Sequence, residues 1–148
     1  MRNADAVTAL GRAIGLDLAL GRDGACDLVV NDTCETTIAG DPSGTTLTVT
    51  ALICDRSEAE SILPRLLEAN ATPERLGGGA FALDAHTSEV VLVRRIDVAA
   101  MSAEALSEAL QSFSRMTLAW QEHLPTLAQA PGETGGSLQV SGGSELLL

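Results

Sequence analysis

Residues 80–127 decide the fold: AFALD (80–84) and EVVLV (89–93) lead into a long segment from Ser102 to Leu127. The first two stretches flank a tight turn and predict a β-hairpin. In the long segment, large side chains recur every three or four residues, which predicts a helix with one apolar face. That stripe is Leu106, Leu110, Phe113, Trp120, Leu124 and Leu127, interrupted at Thr117. The polar face holds Glu104, Glu108, Gln111, Arg115 and Glu122. A hairpin followed by a one-faced helix predicts that the helix lies across a sheet.

Pro125 is expected to end this helix, which would leave Leu127 outside it. The helix has no catalytic group, which favours a protein that acts by binding. We expect the helix to cover the sheet rather than to touch a bound partner.

Composition and charge exclude several classes of function. The chain has 148 residues, enough for one domain with a modest core, and 45% of them are apolar. Aromatic residues make up only 2%, so base stacking on single-stranded nucleic acid is excluded. Twenty acidic residues and nine basic ones give a net charge of −11. Such a surface repels phosphate groups, so neither nucleic acid nor an anionic membrane is an expected partner.

The three cysteines, Cys26, Cys34 and Cys54, form no CxxC pair and no metal-binding motif. An odd number of cysteines without a signal peptide predicts buried thiols in a reducing cytosol. No apolar run approaches the ~18 residues of a membrane span. A cytoplasmic location is therefore expected.

The first half of the chain predicts a helix and a three-stranded antiparallel meander. The helix spans Asp5 to Gly15 and places Val7, Leu10 and Ile14 on one face. Strands are predicted at residues 26–30, 35–39 and 45–53, the last with four threonine or leucine residues opposite its apolar face. The run of turn-forming residues at 40–44 separates the second strand from the third.

A second helix follows, with Ser57 and Glu60 as its predicted capping box. Pro64 sits beyond its first turn and predicts either a kink or a late restart of the helix. Residues 71–79 are expected to form a loop. The chain is therefore predicted to be α+β, with an antiparallel sheet of about five strands packed by three helices.

Residues 1–130 are predicted to be one domain, and the Gly/Ser-rich tail 131–148 is expected to be disordered. Apolar residues nevertheless occur in the tail at Leu138, Val140 and 146–148. They are either a frayed end or a segment that docks on an apolar groove of this chain or of a neighbour.

Asp84, His86 and Glu89 could form a metal or acid–base cluster, or simply a polar turn. Two carboxylates and one histidine without a fourth ligand favour the turn. No catalytic residue, metal site or cofactor is predicted, and the chain is not expected to be an enzyme.

Four parts of the sequence, taken in their order along the chain, carry a resemblance to a known family. They are LGRAIGL (10–16), CDLVV (26–30) with LTV (47–49), LLEAN (66–70), and the hairpin with its helix through Trp120 and Leu124. Together they resemble the class I chaperones of bacterial type III secretion, the family of the Tir chaperone. The resemblance spans residues 6–127.

The resemblance implies a homodimer that holds the N-terminal segment of a secreted effector in a non-globular, secretion-competent form and binds no nucleotide. It also implies the secretion ATPase as a further candidate partner. Effector contacts are implied for Val7, Leu10, Ile14, Leu28, Val30 and Ile38. A dimer interface is implied for Leu63, Leu66, Leu67, Phe81 and Leu83. Each of these residues also has a plain alternative as part of the core.

Two other hypotheses remain open. A ligand-sensing or regulatory domain that binds a folded protein could use a similar α+β frame, and neighbouring genes would discriminate, since a chaperone is normally encoded beside its effector. A small metal-dependent enzyme would need Asp84, His86 and Glu89 as its site.

Overall fold

The computed structural model describes residues 1–129 of the chain. Its elements, in order, are α1 (Asn3–Ile14), β1 (Ala25–Val30), β2 (Cys34–Gly40), β3 (Thr46–Asp55), α2 (Arg56–Ala59), α3 (Leu63–Ala69), β4 (Ala80–Asp84), β5 (Glu89–Asp97) and α4 (Ala103–Gln129). Short 3-10 turns cover Glu60–Ile62 and Pro73–Leu76. The predicted α+β class and order of elements are confirmed. The tail for which disorder was predicted lies outside the described residues.

The five strands form one antiparallel sheet in the order β1-β2-β3-β5-β4. Because β5 pairs with both β3 and β4, the hairpin places its second strand inside the sheet. The two free edges of the sheet are therefore β1 and β4. In β3 the predicted alternation is confirmed, since Leu47, Val49, Ala51 and Ile53 are buried and the residues between them are half-buried.

Helix α4 lies against β2 and β3, and α1 packs on α4. The predicted stripe is buried at Leu106, Leu110, Phe113, Trp120 and Leu124. Thr117 is buried with them, and its hydroxyl donates a hydrogen bond to the Phe113 carbonyl at 2.9 Å. The polar interruption of the stripe is thus satisfied within the helix itself.

Pro125 does not end α4, which continues to Gln129, so that prediction is wrong. A proline inside a helix removes one hydrogen bond, here to the carbonyl of Gln121. Pro125 is exposed, so its ring faces solvent near the end of the helix. Leu124, directly before it, is buried and anchors this turn to the core. Leu127 accordingly lies within the helix and is half-buried against the core.

The capping box is also shifted from its predicted position, because α2 starts directly after β3. The backbone N–H of Asp55 donates to Glu58 Oε1 at 3.1 Å, so Asp55 and Glu58 replace Ser57 and Glu60. Of the two outcomes predicted for Pro64, the late restart is confirmed. Pro64 stands in the first turn of α3, where its missing N–H has no helical partner to lose.

Gly11 provides a test of how tightly α1 is packed. A β-carbon there would lie 2.6 Å from the Leu16 carbonyl oxygen and 3.0 Å from the Leu18 nitrogen. Glycine-to-alanine changes normally stabilise a helix by ~0.5–1 kcal/mol. Here both contacts are backbone atoms that cannot rotate away, so we expect Gly11→Ala to lower the free energy of unfolding by about 1–3 kcal/mol. Urea denaturation measures this.

Arg12→Ala, on the exposed side of the same helix, is the control and should change stability by less than about 0.5 kcal/mol. A gain in stability for Gly11→Ala would show that the segment after α1 moves aside freely.

Candidate functional site

The turn between β4 and β5 contains the one cluster of residues that suggested metal chemistry. Asp84 Oδ1 accepts hydrogen bonds from the backbone N–H of His86 at 2.9 Å and of Thr87 at 3.4 Å. His86 itself is exposed. Within residues 1–129 no group of three or more His, Cys, Asp or Glu side chains could hold a metal ion. Asp84 therefore shapes the turn, in line with the polar-turn interpretation.

The three cysteines are free thiols in β1, β2 and β3, with Cys34 buried and Cys26 and Cys54 half-buried. Burial, together with the charges of Glu58 and Asp55, raises the pKa of the Cys54 thiol to about 11. Burial and then Asp27 raise the pKa of Cys26. Protonated thiols are poor nucleophiles and poor metal ligands, so Cys26 and Cys54 suit packing rather than chemistry. In the described part of the chain, no helix is long and apolar enough to cross a bilayer.

A groove of about 520 Å³ lies along the free edge of β1. The end of α1 and the residues after it form one wall, with Ile14 and Leu16. Strand β1 contributes Leu28, Val29 and Val30. Leu28 and Val30 belong to the helix-facing side of the sheet and Val29 to the opposite side. We call this groove the β1 groove.

Helix α4 forms the other wall of the β1 groove, with Leu110, Gln111, Ser114 and Arg115. Arg115 is the charged residue among those that line it. Ser114 is only 1% exposed, and within residues 1–129 its hydroxyl has no hydrogen-bond partner. A buried hydroxyl without a partner is unfavourable, and this one lies beneath the wall of the groove rather than open to it. Helix α4 thus faces the β1 groove as well as the sheet.

Four large apolar side chains are exposed among the described residues, and they fall into two pairs. Leu16 and Val29, at 47% and 54% exposure, line the β1 groove. Leu67 and Leu83, at 68% and 43%, lie on α3 and β4, which pack against each other at the opposite edge of the sheet. We call the second pair the β4 surface. Exposed apolar patches of this kind mark interaction sites.

The structure separates the six residues that were predicted to contact an effector. Ile14, Leu28 and Val30 line the β1 groove. Val7, Leu10 and Ile38 are at most 1% exposed and belong to the core of the chain. Sequence reasoning missed Leu16 and Val29. Val29 had a detectable signal, because it is an apolar residue on the strand face that otherwise holds Asp27.

The five residues predicted for a dimer interface also differ in burial. Leu66 and Phe81 are buried in the core and Leu63 is half-buried, whereas Leu67 and Leu83 form the β4 surface. Leu66 and Leu67 differ in burial because adjacent residues of a helix point about 100° apart.

Asn70, the last residue of that segment, ties α3 to the free edge of β4. Its side-chain amide donates to the Phe81 carbonyl at 3.0 Å and accepts from the Phe81 N–H at 2.7 Å. The amide thus occupies edge positions that a further strand would otherwise use. The Phe81 ring packs edge-on against Trp120 of α4, with ring centroids 4.8 Å apart. The β4 surface is therefore held on a fixed frame.

Comparison with known proteins gives both a family and a fold. The family model described as the Tir chaperone protein (CesT) family matches residues 5–121. A comparison with curated protein sequences gave no match.

Among solved structures, a chain of the ExsC–ExsE complex is 22% identical with a TM-score of 0.72, and the match covers 82% of this chain and 92% of that one. A chain of the HopA1–SchA chaperone–effector complex is 18% identical with a TM-score of 0.67, covering 80% and 91%. A chain of the Yersinia pestis type III secretion chaperone SycH in complex with a stable fragment of YscM2 is 14% identical with a TM-score of 0.62, covering 78% and 97%. At these identities the likeness establishes the shared fold.

Proposed function

Because this chain belongs to the Tir chaperone protein (CesT) family, we propose that it binds the N-terminal region of a type III secretion effector and keeps it non-globular and secretion-competent. The observation on which this rests is the β1 groove, which combines apolar and polar lining residues beside an unpaired strand edge. Two of the similar structures, a chaperone–effector complex and a type III secretion chaperone in complex with a protein fragment, support the proposal.

An extended client segment fits the chemistry of this groove. The free edge of β1 offers backbone N–H and C=O groups to an added strand. Side chains that alternate along such a strand would meet Leu28 and Val30 on one face of the sheet and Val29 on the other. Each contact is modest, and a disordered segment loses several kcal/mol on ordering, so affinity would have to come from a long segment with many contacts.

The net charge of −11 is consistent with this role. A chaperone must present apolar surface while it waits for a client, and that surface is a liability for aggregation. Like charges on the rest of the surface keep the molecules apart. We also infer that the chain acts in the bacterial cytoplasm, before secretion, with the secretion ATPase as a later partner.

We place a homodimer interface at the β4 surface, where Leu67 and Leu83 are exposed on the edge opposite the groove. Two chains joined there would keep both β1 grooves open, so one dimer could hold two stretches of a single client. No catalysis and no cofactor are needed for this activity.

The decisive experiment is co-expression with the N-terminal ~100 residues of the secreted protein encoded beside this gene. We expect a two-to-one complex by light scattering. The Leu16→Glu/Val29→Glu variant should bind this fragment at least about tenfold more weakly, because two exposed apolar contacts are replaced by charges that the client would bury. Calorimetry measures the affinity. Substitution of Leu10, by contrast, would disrupt the core and test nothing about binding.

Ala100→Glu/Thr126→Glu is the matched control, since it adds the same charge at exposed positions outside the groove. Equal affinities for the two double variants would reject the β1 groove as the client site. A bound partner that stays globular and unfolds cooperatively would favour the alternative, a regulatory domain that recognises a folded protein. Circular dichroism and limited proteolysis of the complex distinguish these cases.

A further inference from the structure

The sequence after α4 contains one short alternating segment, SLQVS (137–141), between glycine pairs at 135–136 and 142–143. In an extended conformation, Leu138 and Val140 would lie on one side and Gln139 on the other. Glycine pairs impose little conformational preference on the chain that flanks them. This is the pattern of a short strand between two flexible connections, and it differs from the LLL run at 146–148, which does not alternate.

We propose that residues 137–141 of the same chain occupy the β1 groove as an added edge strand when no client is bound. The docking of the tail is inferred from the groove alone. Its effect on client binding rests on the function proposed above. The occupant would place Leu138 and Val140 against Leu28 and Val30, which have the same two-residue spacing. Its backbone would pair with the N–H and C=O groups at the free edge of β1.

The tail is long enough to reach this site. Leu138 is nine positions after Gln129, and an extended chain of that length spans at most about 30 Å. Arg115, at the groove, is fourteen residues before Gln129, a distance of about 21 Å along the helix. Leu110, which also lines the groove, is nineteen residues before Gln129, about 28 Å along the helix, so the segment can turn back along α4 and reach the groove with a nearly extended connection.

Charge favours the same occupant. The two charged side chains of residues 130–148 are both acidic, Glu133 and Glu145, one on each side of the segment. The charged residue that lines the groove is Arg115. An acidic tail that approaches this arginine gains attraction, whereas most of the surrounding acidic surface would repel it.

Two apolar side chains give only a weak site, but tethering compensates. A short flexible connection produces an effective concentration in the millimolar range. A segment whose free peptide binds with a Kd of roughly 0.1–1 mM would then cover the groove half or more of the time. The tail would shield Leu16 and Val29 without excluding a longer client, and it would weaken client binding about two- to tenfold.

Residue-resolved amide exchange on the full chain without client tests the docking. We compare Leu138→Ser/Val140→Ser with the control Leu146→Ser/Leu148→Ser, which removes two apolar side chains from the same tail. In Leu138→Ser/Val140→Ser, the β1 amide protons that do not bond to β2 should exchange with solvent about two- to tenfold faster than in the unaltered chain. In the control, their exchange rates should equal those of the unaltered chain. Faster exchange in the control alone, or in neither variant, would overturn the assignment.

A synthetic peptide of residues 135–143 provides the second measurement. It should bind Leu138→Ser/Val140→Ser with an apparent Kd two- to tenfold lower than it binds the unaltered chain, because the unaltered groove is already occupied. Equal Kd values, or no shift of β1 resonances, would contradict the proposal. Protection of β1 that rises with protein concentration would show that a neighbour's tail is the occupant. These results need no client, so they remain decisive if the effector fragment fails to bind.

Discussion

Phe113→Ala is expected to lower the free energy of unfolding by about 3–5 kcal/mol, since it removes a whole buried aromatic ring. Phe113 is 0% exposed and heads the fully buried side chains by volume. It lies at the middle of the α4 stripe, between Leu110 and Thr117, whose hydroxyl bonds to the Phe113 carbonyl. A domain is stable by only ~5–15 kcal/mol, so this loss is a large fraction of the total.

Urea denaturation followed through the single tryptophan, Trp120, measures the effect. Protein concentration must be held constant, because association of the chain would shift the midpoint. Glu122→Ala on the exposed side of the same helix is the control and should change the free energy of unfolding by less than about 0.5 kcal/mol. A loss below about 1 kcal/mol for Phe113→Ala would mean that the helix packs loosely on the sheet.

Those parts of the fold that rest on periodicity were predictable from the sequence. The apolar residues of α4 repeat at helical spacing, and those of β3 alternate. Only a helix places the first set on one face, and only a strand places the second set on one face. The boundaries depended on context instead. Pro125 stays inside α4 because its ring faces solvent, and the capping box moves to Asp55 because β3 runs directly into α2.

The candidate site was less predictable for a physical reason. Periodicity identifies an apolar face but does not distinguish a face buried within the chain from one available to a partner. Val7 and Leu10 share a helix face with Ile14, yet only Ile14 reaches the β1 groove. The wall of the groove that α4 forms depends on how distant segments pack together. The hydrogen bonds of Asn70 to β4 likewise join two separate elements, so a local sequence pattern does not predict them.

Leu67→Glu/Leu83→Glu is expected to convert a dimer into a monomer, a change in mass from twice 15.3 kDa to 15.3 kDa by light scattering at micromolar concentration. Each substitution would place an unpaired carboxylate in an apolar interface, at a cost of at least about 2 kcal/mol. A symmetric dimer contains each substitution twice, so four such costs weaken association about a millionfold. The fold of the single chain should survive, because both residues are exposed and the frame formed by Asn70 and Phe81 is untouched.

The matched control is Leu16→Glu/Val29→Glu, which adds the same two charges to the other exposed apolar pair. It should remain a dimer and lose client binding, whereas the β4 variant should lose the dimer. This crossed pattern separates a specific interface from a general effect of added negative charge on a chain that already has a net charge of −11. If Leu67→Glu/Leu83→Glu stays dimeric, or if both variants become monomers, the β4 surface is not the interface. The Asn70 amide would then serve only to close the edge of β4 against further strands.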